Sequence, residues 1–311
     1  MEVAVLVANP AASQFTGGMH RKVVGILSSR YRVETRWPTS PVEAQAAATE
    51  AVMGGAGLVV AMGGDGVVHH VAQGLVSSTV PLGIVPVGTT NVLARLLGIP
   101  RRPAQASRLL VETNQVNMVP SLEVQMRTER GTAVRHALFA LGAGADALVV
   151  ERAETEPYRK YRFGGLHYAR TAAATVWSDL RRRRPRATVQ VAGRALAAVG
   201  FMAQIHPVYT FFGRVPIKID RVAPDPMTVL VVSRLPLRRI FGVARAAFGG
   251  GFERLPGFEV VRGVESLSFE APRPTPVQAD GEILGEATRL DAAYRPSSLP
   301  VVVPAVPASP R

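Results

Sequence analysis

Through roughly its first hundred residues the chain alternates between two hydrophobic periods, and that alternation leaves few folds open. Val3 to Asn9, Arg32 to Trp37, Gly57 to Met62 and Pro81 to Val87 are short apolar or β-branched runs, the pattern of buried strands. Gly18 to Ser29, Pro41 to Met53 and Gly66 to Ser77 lie between them, rich in Ala or with apolar residues at helical spacing. Strand and helix in turn predict a parallel sheet covered on both faces, and such sheets bind ligands beyond the carboxyl ends of their strands. The loops at those ends read NPAAS (Asn9 to Ser13), WPTS (Trp37 to Ser40), MGGDGV and PVGTTN (Pro86 to Asn91). Glycine, hydroxyl and amide groups would therefore converge on one sheet edge.

After a helical stretch over Pro103 to Glu112 the pattern changes. SLEVQMR, AVRHALFAL, RATVQVA, ALAAVGFMAQ, PIKID, MTVLVVS, FEVVRG, ESLSFEA and TRLDAAYR are short, frequent and often alternating, separated by Gly, Pro or charged turns. That suits an antiparallel sandwich or barrel. Helices are expected to interrupt it at Tyr158 to Leu180 and Leu235 to Phe248. The expected partition is 1–114 for the α/β domain, 115–304 for the β-rich domain and 305–311 for a disordered tail.

Composition removes several functions. With 47% hydrophobic residues the chain can bury a sizeable core. No apolar run approaches the roughly 20 residues of a membrane span, and MEVAVLVANP lacks the basic flank of a signal peptide, so a cytoplasmic protein is expected. The absence of cysteine excludes disulfides, thiolate metal sites and a cysteine nucleophile. His69 and His70 are neighbours that point apart on a helix, which fits packing better than zinc. The 36 Lys and Arg against 23 Asp and Glu give net +13, which favours anionic partners.

GGDG between strand and helix offers backbone N–H groups to an anion, aided by the positive end of the following helix. Asp65 within it would repel phosphate unless it holds Mg2+, takes a proton or fixes the loop. A cap on a helix starting near Val67 is an equally open reading. Walker A and GxGxxG are both absent, so any nucleotide site is of another kind. QADGEILGE (Gln278 to Glu286) sets Asp280 and Glu282 around a glycine in an expected hairpin turn. GAGADALVV (Gly142 to Val150) ends a strand with Asp146 among small residues, either as a cap or as a functional acid.

The ordered set NP, GGDG, GTTNVLAR, GAGADA and a late DGE resembles the bacterial diacylglycerol kinase and sphingosine kinase family of soluble lipid kinases. The resemblance runs from Asn9 to about Pro304. It implies a three-layer α/β nucleotide-binding domain, mostly parallel and related to those of NAD kinases and phosphofructokinases, followed by a β-sandwich domain. It implies ATP and Mg2+ as cofactors, a lipid alcohol such as diacylglycerol as acceptor, and a part in phospholipid biosynthesis. Asn9, Pro10 and Ser13 would sit by the nucleotide, and Gly63, Gly64, Asp65 and Gly66 would wrap the phosphates with Asp65 handling Mg2+. Gly88, Thr89 and Asn91 would contact nucleotide, and Thr39 is a looser match. Asp146 would face the head group or metal waters. Asp280 and Glu282 would be the catalytic carboxylates, with the proton acceptor unassigned between them, and Asp65, Asp146 and Asp280 would share one cleft between the domains.

Two departures stand out: Val67 replaces a Thr that often follows GGDG, and Val92 replaces an Asp that often follows the Asn. They keep open a non-catalytic nucleotide- or membrane-binding module, and GGDG alone keeps open a kinase of a soluble alcohol such as NAD. The Asp-rich turn of a structural Mg2+ site is reduced to Asp225 in RVAPDPMTVLVV. The Arg-rich stretches Arg234 to Leu255 and Arg181 to Arg186 read either as solvated basic faces or as contacts with an anionic membrane. The second lacks interleaved aromatics, which disfavours nucleic acid. The implied location is cytoplasmic, peripheral at the inner membrane surface, with a homodimer left open.

Overall fold

A computed structural model describes residues 1–129, 131–154, 186–234 and 240–305. The expected helix Tyr158–Leu180, Arg181 to Arg184, the first five residues of the expected helix Leu235–Phe248 and the last six residues lie outside that set. The chain forms two compact units, Met1–Pro120 joined by the chain from Pro296 onward, and Ser121–Arg295.

The first unit runs β1 (Val3–Ala8), α1 (Gly17–Leu27), β2 (Arg32–Arg36), α2 (Pro41–Met53), β3 (Leu58–Gly63), α3 (Asp65–Gln73), β4 (Leu82–Pro86), α4 (Val92–Leu96) and α5 (Pro103–Glu112). β1 pairs in parallel with β2 and with β3, and β3 pairs in parallel with β4. The order is therefore β4-β3-β1-β2. α1 packs with α5 and α2 with α3, as right-handed crossovers require when the chain turns back past β1. That reversal makes the carboxyl ends of β1 and β3 the topological switch point of the sheet.

Every residue of β3 is buried, which is why the strand reads as an unbroken apolar run. Leu6, Leu58, Val60 and Met62 meet Val23 and Leu27 of α1 and Leu110 of α5 in the core. α1 starts at Thr16, whose hydroxyl accepts the Met19 N–H, and α2 at Ser40, whose hydroxyl accepts the Glu43 N–H, with Pro at its first position. Such caps stabilise a helix by about 1 kcal/mol each.

The second unit begins within β5 (Val116–Thr128). It continues through β6 (Gly131–Ala137), β7 (Ala140–Gly144), α6 (Ala145–Glu154), β8 (Ala187–Val191), β9 (Arg194–Ala198), β10 (Gly200–Gln204), β11 (Thr210–Phe212) and β12 (Val215–Ile217). It ends with β13 (Thr228–Val232), α7 (Ile240–Gly249), β14 (Phe258–Val261), β15 (Ser266–Ala279) and β16 (Glu282–Val302). Its pairings are antiparallel, in the order β14-β13-β10-β7-β15-β16, with β8 also against β15. β15 meets β8 at Leu267–Glu270 and β7 at Val277–Ala279, and its register with β16 shifts between Glu270 and Thr275. The long strand β15 thus pairs with β8 through one part and with β7 through the other, and Phe201 and Phe269 meet in the core with tilted rings, centroids 5.6 Å apart.

The α/β domain and the β-rich region are as expected, with differences of detail, and ALAAVGFMAQ is two strands, β9 and β10. AVRHALFAL is two strands, β6 and β7, because the peptide groups of Leu138 and Phe139 bond elsewhere. The end of β16 and the residues after it belong to the first unit, where Leu299 and Val301 are fully buried and Val301 pairs in parallel with Leu82. The run LPVVVP is readable as a strand, but its periodicity carries no mark of which sheet it joins. No helix among the described residues is long and apolar enough to cross a membrane.

Candidate active site

Three loops at the switch point are tied into one rim. The Asn9 N–H bonds the Met62 carbonyl, the Gln14 N–H the Val87 carbonyl, and the Val87 N–H the Gly63 carbonyl. Side chains add to this: Gln14 Nε2 donates to the Gly88 carbonyl at 3.1 Å, and the hydroxyls of Ser13 and Thr89 lie 3.0 Å apart. The glycines are required by contact. A Cβ on Gly88 would lie 2.5 Å from the Gly64 Cα, and one on Gly63 would lie 2.5 Å from the Val67 side chain. The loops after β3 and β4 therefore touch backbone to backbone, and Val67 fills the angle between strand and helix.

α3 starts at Asp65, two residues before the expected start near Val67, so Asp65 is the first helical residue and not the cap, and Gly64 stands at the cap position without a side-chain bond. With no side chain closing that end, the start of the helix directs its N–H groups and dipole outward, which suits an anion. The Asp65 carboxylate accepts the Leu93 N–H at 3.4 Å at the start of α4. Asn9 Oδ1 accepts the Ala11 N–H, while Asn91, at φ +50°, closes on Gly88 with both ends of its amide. Thr39 donates its hydroxyl to Glu43 and belongs to the start of α2. These three side chains shape loops. Of the motif residues on the rim, Pro10, Ser13 and Thr89 are exposed, with Asp65 and Gly66 half-buried.

In the second unit Asp280 and Gly281 form a two-residue hairpin turn between Ala279 and Glu282, both at positive φ (+57° and +84°), as a type I′ turn requires. Asp280 is only 4% exposed. Its carboxylate accepts the N–H groups of Leu138, Phe139 and Ala140 at 2.8 to 3.1 Å, which is what interrupts the strand there. Gln278 fastens the other side: Oε1 accepts the Gly281 N–H at 2.9 Å, and Nε2 reaches Asp146 at 2.6 Å and the Tyr209 oxygen at 2.8 Å. The Tyr209 hydroxyl donates to Asp146 at 2.6 Å. Burial pushes the Asp146 carboxyl up to about 6, against the two hydrogen bonds that favour its charge. Tyr209 is pushed well above its usual range, chiefly by burial, and stays a donor.

Asp146, Tyr209 and Gln278 therefore form one network joined to the DGE turn through the Gly281 N–H, with Asp280 buried in that turn and Glu282 half-buried beside it. Tyr209 and Gln278 escaped the sequence reading: the first sits in an unremarkable HPVYTFF, and the second adjoins the DGE without being charged. His206 adjoins the network through the Leu138 backbone, and burial lowers its pKa while Asp280 opposes that.

Asp65 is the motif acid at the rim, and a single carboxylate ligand suits an ion that brings phosphate oxygens with it. No group of three or more His, Asp or Glu among the described residues could hold a metal alone. Asp225 is not the acid engaged near β13. Asp220 is, and its carboxylate is paired with Arg262, whose Nη2 lies 2.9 Å away, and bonded to the Arg221 N–H.

Comparison with known proteins bears on the fold and on the first unit. The family model of the diacylglycerol kinase catalytic domain matches residues 3–120. A diacylglycerol kinase of Bacillus subtilis (strain 168) is 35% identical over 105 residues, 32% of this chain and 35% of that protein, so the match spans about a third of the relative's length. A crystal structure of a diacylglycerol kinase from Bacillus anthracis str. Sterne superimposes with TM-score 0.68 at 18% identity, covering 97% of both chains. An NAD kinase from Archaeoglobus fulgidus, solved in complex with ATP, gives TM-score 0.50 at 13% identity over 97% of this chain and 93% of its own. The chain thus carries a match to the diacylglycerol kinase catalytic domain over residues 3–120, within a fold that a diacylglycerol kinase structure shares over nearly its whole length.

Proposed function

We propose that the protein is an ATP-dependent lipid kinase that transfers the γ-phosphate to the hydroxyl of a lipid alcohol, with diacylglycerol as the leading acceptor. The observation that carries this reading is the rim at the switch point: a start of α3 with glycine at its cap position, two loops in backbone contact at Gly64 and Gly88, and Asp65 beside them. Donors of this kind hold a triphosphate without any P-loop. Asp65 would hold Mg2+ together with phosphate oxygens, and the ion when bound spreads the charge developing on the transferred group.

The acceptor oxygen attacks the γ-phosphorus, the bond to the β–γ bridging oxygen breaks, and ADP leaves. The hydroxyl proton must pass to a base within hydrogen-bond reach. Asp280 has its carboxylate committed to peptide N–H groups, so Glu282, half-buried beside it, is assigned as the acceptor and Asp280 as the residue that fixes the turn. Docking on an anionic membrane is assigned to the face of α7, where Arg245 and Phe248 are exposed and Val215 is exposed nearby. With net +13, that attraction should weaken as salt rises.

The test is transfer of label from γ-labelled ATP into a membrane lipid extract, with the product identified by mass. Wild type should yield a lipid phosphate, and Glu282→Gln should lower turnover by about 100-fold or more. Label entering a soluble alcohol in the absence of lipid would move the reading to a soluble acceptor. Equal turnover by the variant would remove Glu282 from proton transfer.

A further inference from the structure

An aromatic group beside the rim takes no part in the chemistry above. Trp37 follows β2 directly, and its ring meets Phe15 edge-on with centroids 6.0 Å apart and His20 at 4.6 Å. Phe15 lies two residues beyond Ser13, its N–H bonded to the Ala12 carbonyl, and it packs against the core of the first unit. His20 is in the first turn of α1, its Nε2 3.4 Å from the Thr35 hydroxyl. Trp37 is thus braced by two rings that are themselves anchored, yet it remains 47% exposed. A lone exposed aromatic needs no explanation. One braced at the ligand-binding edge of a parallel sheet is a preformed flat apolar surface.

Strand order sets its distance from the phosphate loops. β2 neighbours β1, and β1 neighbours β3. Adjacent strands lie about 4.8 Å apart, so the end of β2 is about 10 Å from the end of β3. With phosphates at the start of α3, ribose and base must extend away from it along the edge. Across the end of β1, past Ser13, that direction leads to Trp37.

We infer that Trp37, supported by Phe15 and His20, is the platform on which the purine base of the nucleotide stacks, a subsite that rests on the kinase reading. Stacking engages the π-face of a base and ignores its hydrogen-bonding edge, so the platform discriminates by ring size. ATP and GTP should bind alike, and CTP more weakly.

The chain has two tryptophans, Trp37 and Trp177, so a Trp177→Phe background leaves Trp37 as the sole indole reporter. In that background ATP should quench fluorescence saturably. Trp37→Ala should raise the KM for ATP about tenfold or more with kcat unchanged, and Trp37→Phe should restore most of the affinity. Tripolyphosphate, which has no base, should bind wild type and Trp37→Ala equally, as competition against ATP. Equal ATP affinity in wild type and Trp37→Ala overturns the platform while leaving a working kinase. Equal losses of ATP and tripolyphosphate affinity also overturn it, since Trp37 would then act on the phosphate loops. A wild type that binds neither ligand removes the kinase reading together with the platform.

Discussion

At the scale of single residues, the acids that the motifs single out do different work. Asp280 is held by three peptide N–H groups, Asp65 reaches across to the start of α4, and Asp146 lies under Tyr209 and Gln278. Asp146 has a folded pKa of about 6 against an ordinary 3.8. A raised acid pKa means that the folded chain holds its proton more tightly than the unfolded chain. The resulting stability is complete below pH 3.8 and is lost as pH rises through about 6, which is the reverse of the usual carboxylate. The loss is at most about 3 kcal/mol, and less because the residue is only half-buried. Asp146→Asn cannot titrate and keeps an acceptor for both partners. Its Tm should therefore gain on that of wild type between pH 4 and pH 7, measured by thermal melts across that range. A constant difference would mean that the carboxyl does not titrate there.

At the scale of elements, much was readable because each signal was local. α2 was predicted with the limits it has, since Ser40, Pro41 and Glu43 mark its start within four residues. The DGE hairpin was readable from Asp-Gly. The break inside AVRHALFAL was not, because it depends on Asp280, some 142 residues from Leu138 in sequence. For the same reason Asn9, Asn91 and Thr39, legible as polar groups at a ligand-binding edge, could not be seen to be closing their own loops. The glycines of the rim make a sharper case. A methyl on Gly88 would meet the Gly64 Cα at 2.5 Å and Asn91 Oδ1 at 2.9 Å, so β3 and β4 would have to part at their ends. Gly88→Ala should cost about 1–3 kcal/mol and weaken tripolyphosphate binding, read by thermal melt and competition. Gly25→Ala, in mid-α1 where the methyl meets nothing within 4 Å, should be neutral or stabilising by about 1 kcal/mol. Similar losses from both would show that close approach is not what the rim requires.

At the scale of the whole molecule, the change from alternating strand and helix to strands alone made two domains visible, but not the route of the chain between them. It leaves the first unit within β5 and re-enters it within β16. In the first unit Leu299 and Val301 are fully buried, Val302 and Val303 nearly so. The Ser77 N–H bonds the Ser298 carbonyl, and the Val303 N–H bonds the Gln115 carbonyl. Burying an aliphatic side chain of this size contributes roughly 1.5–3 kcal/mol, so these four together contribute about 6–12 kcal/mol before ordering costs. That rivals the whole stability of a domain, about 5–15 kcal/mol. A fragment of residues 1–120 alone should therefore be unfolded or molten, with poorly dispersed amide resonances. The same fragment joined through a flexible linker to residues 296–305 should melt cooperatively and bind tripolyphosphate. If residues 1–120 fold cooperatively by themselves, the returning strand is packing added to a finished domain, and the boundary near Asn114 that local patterning suggests is the physically meaningful one.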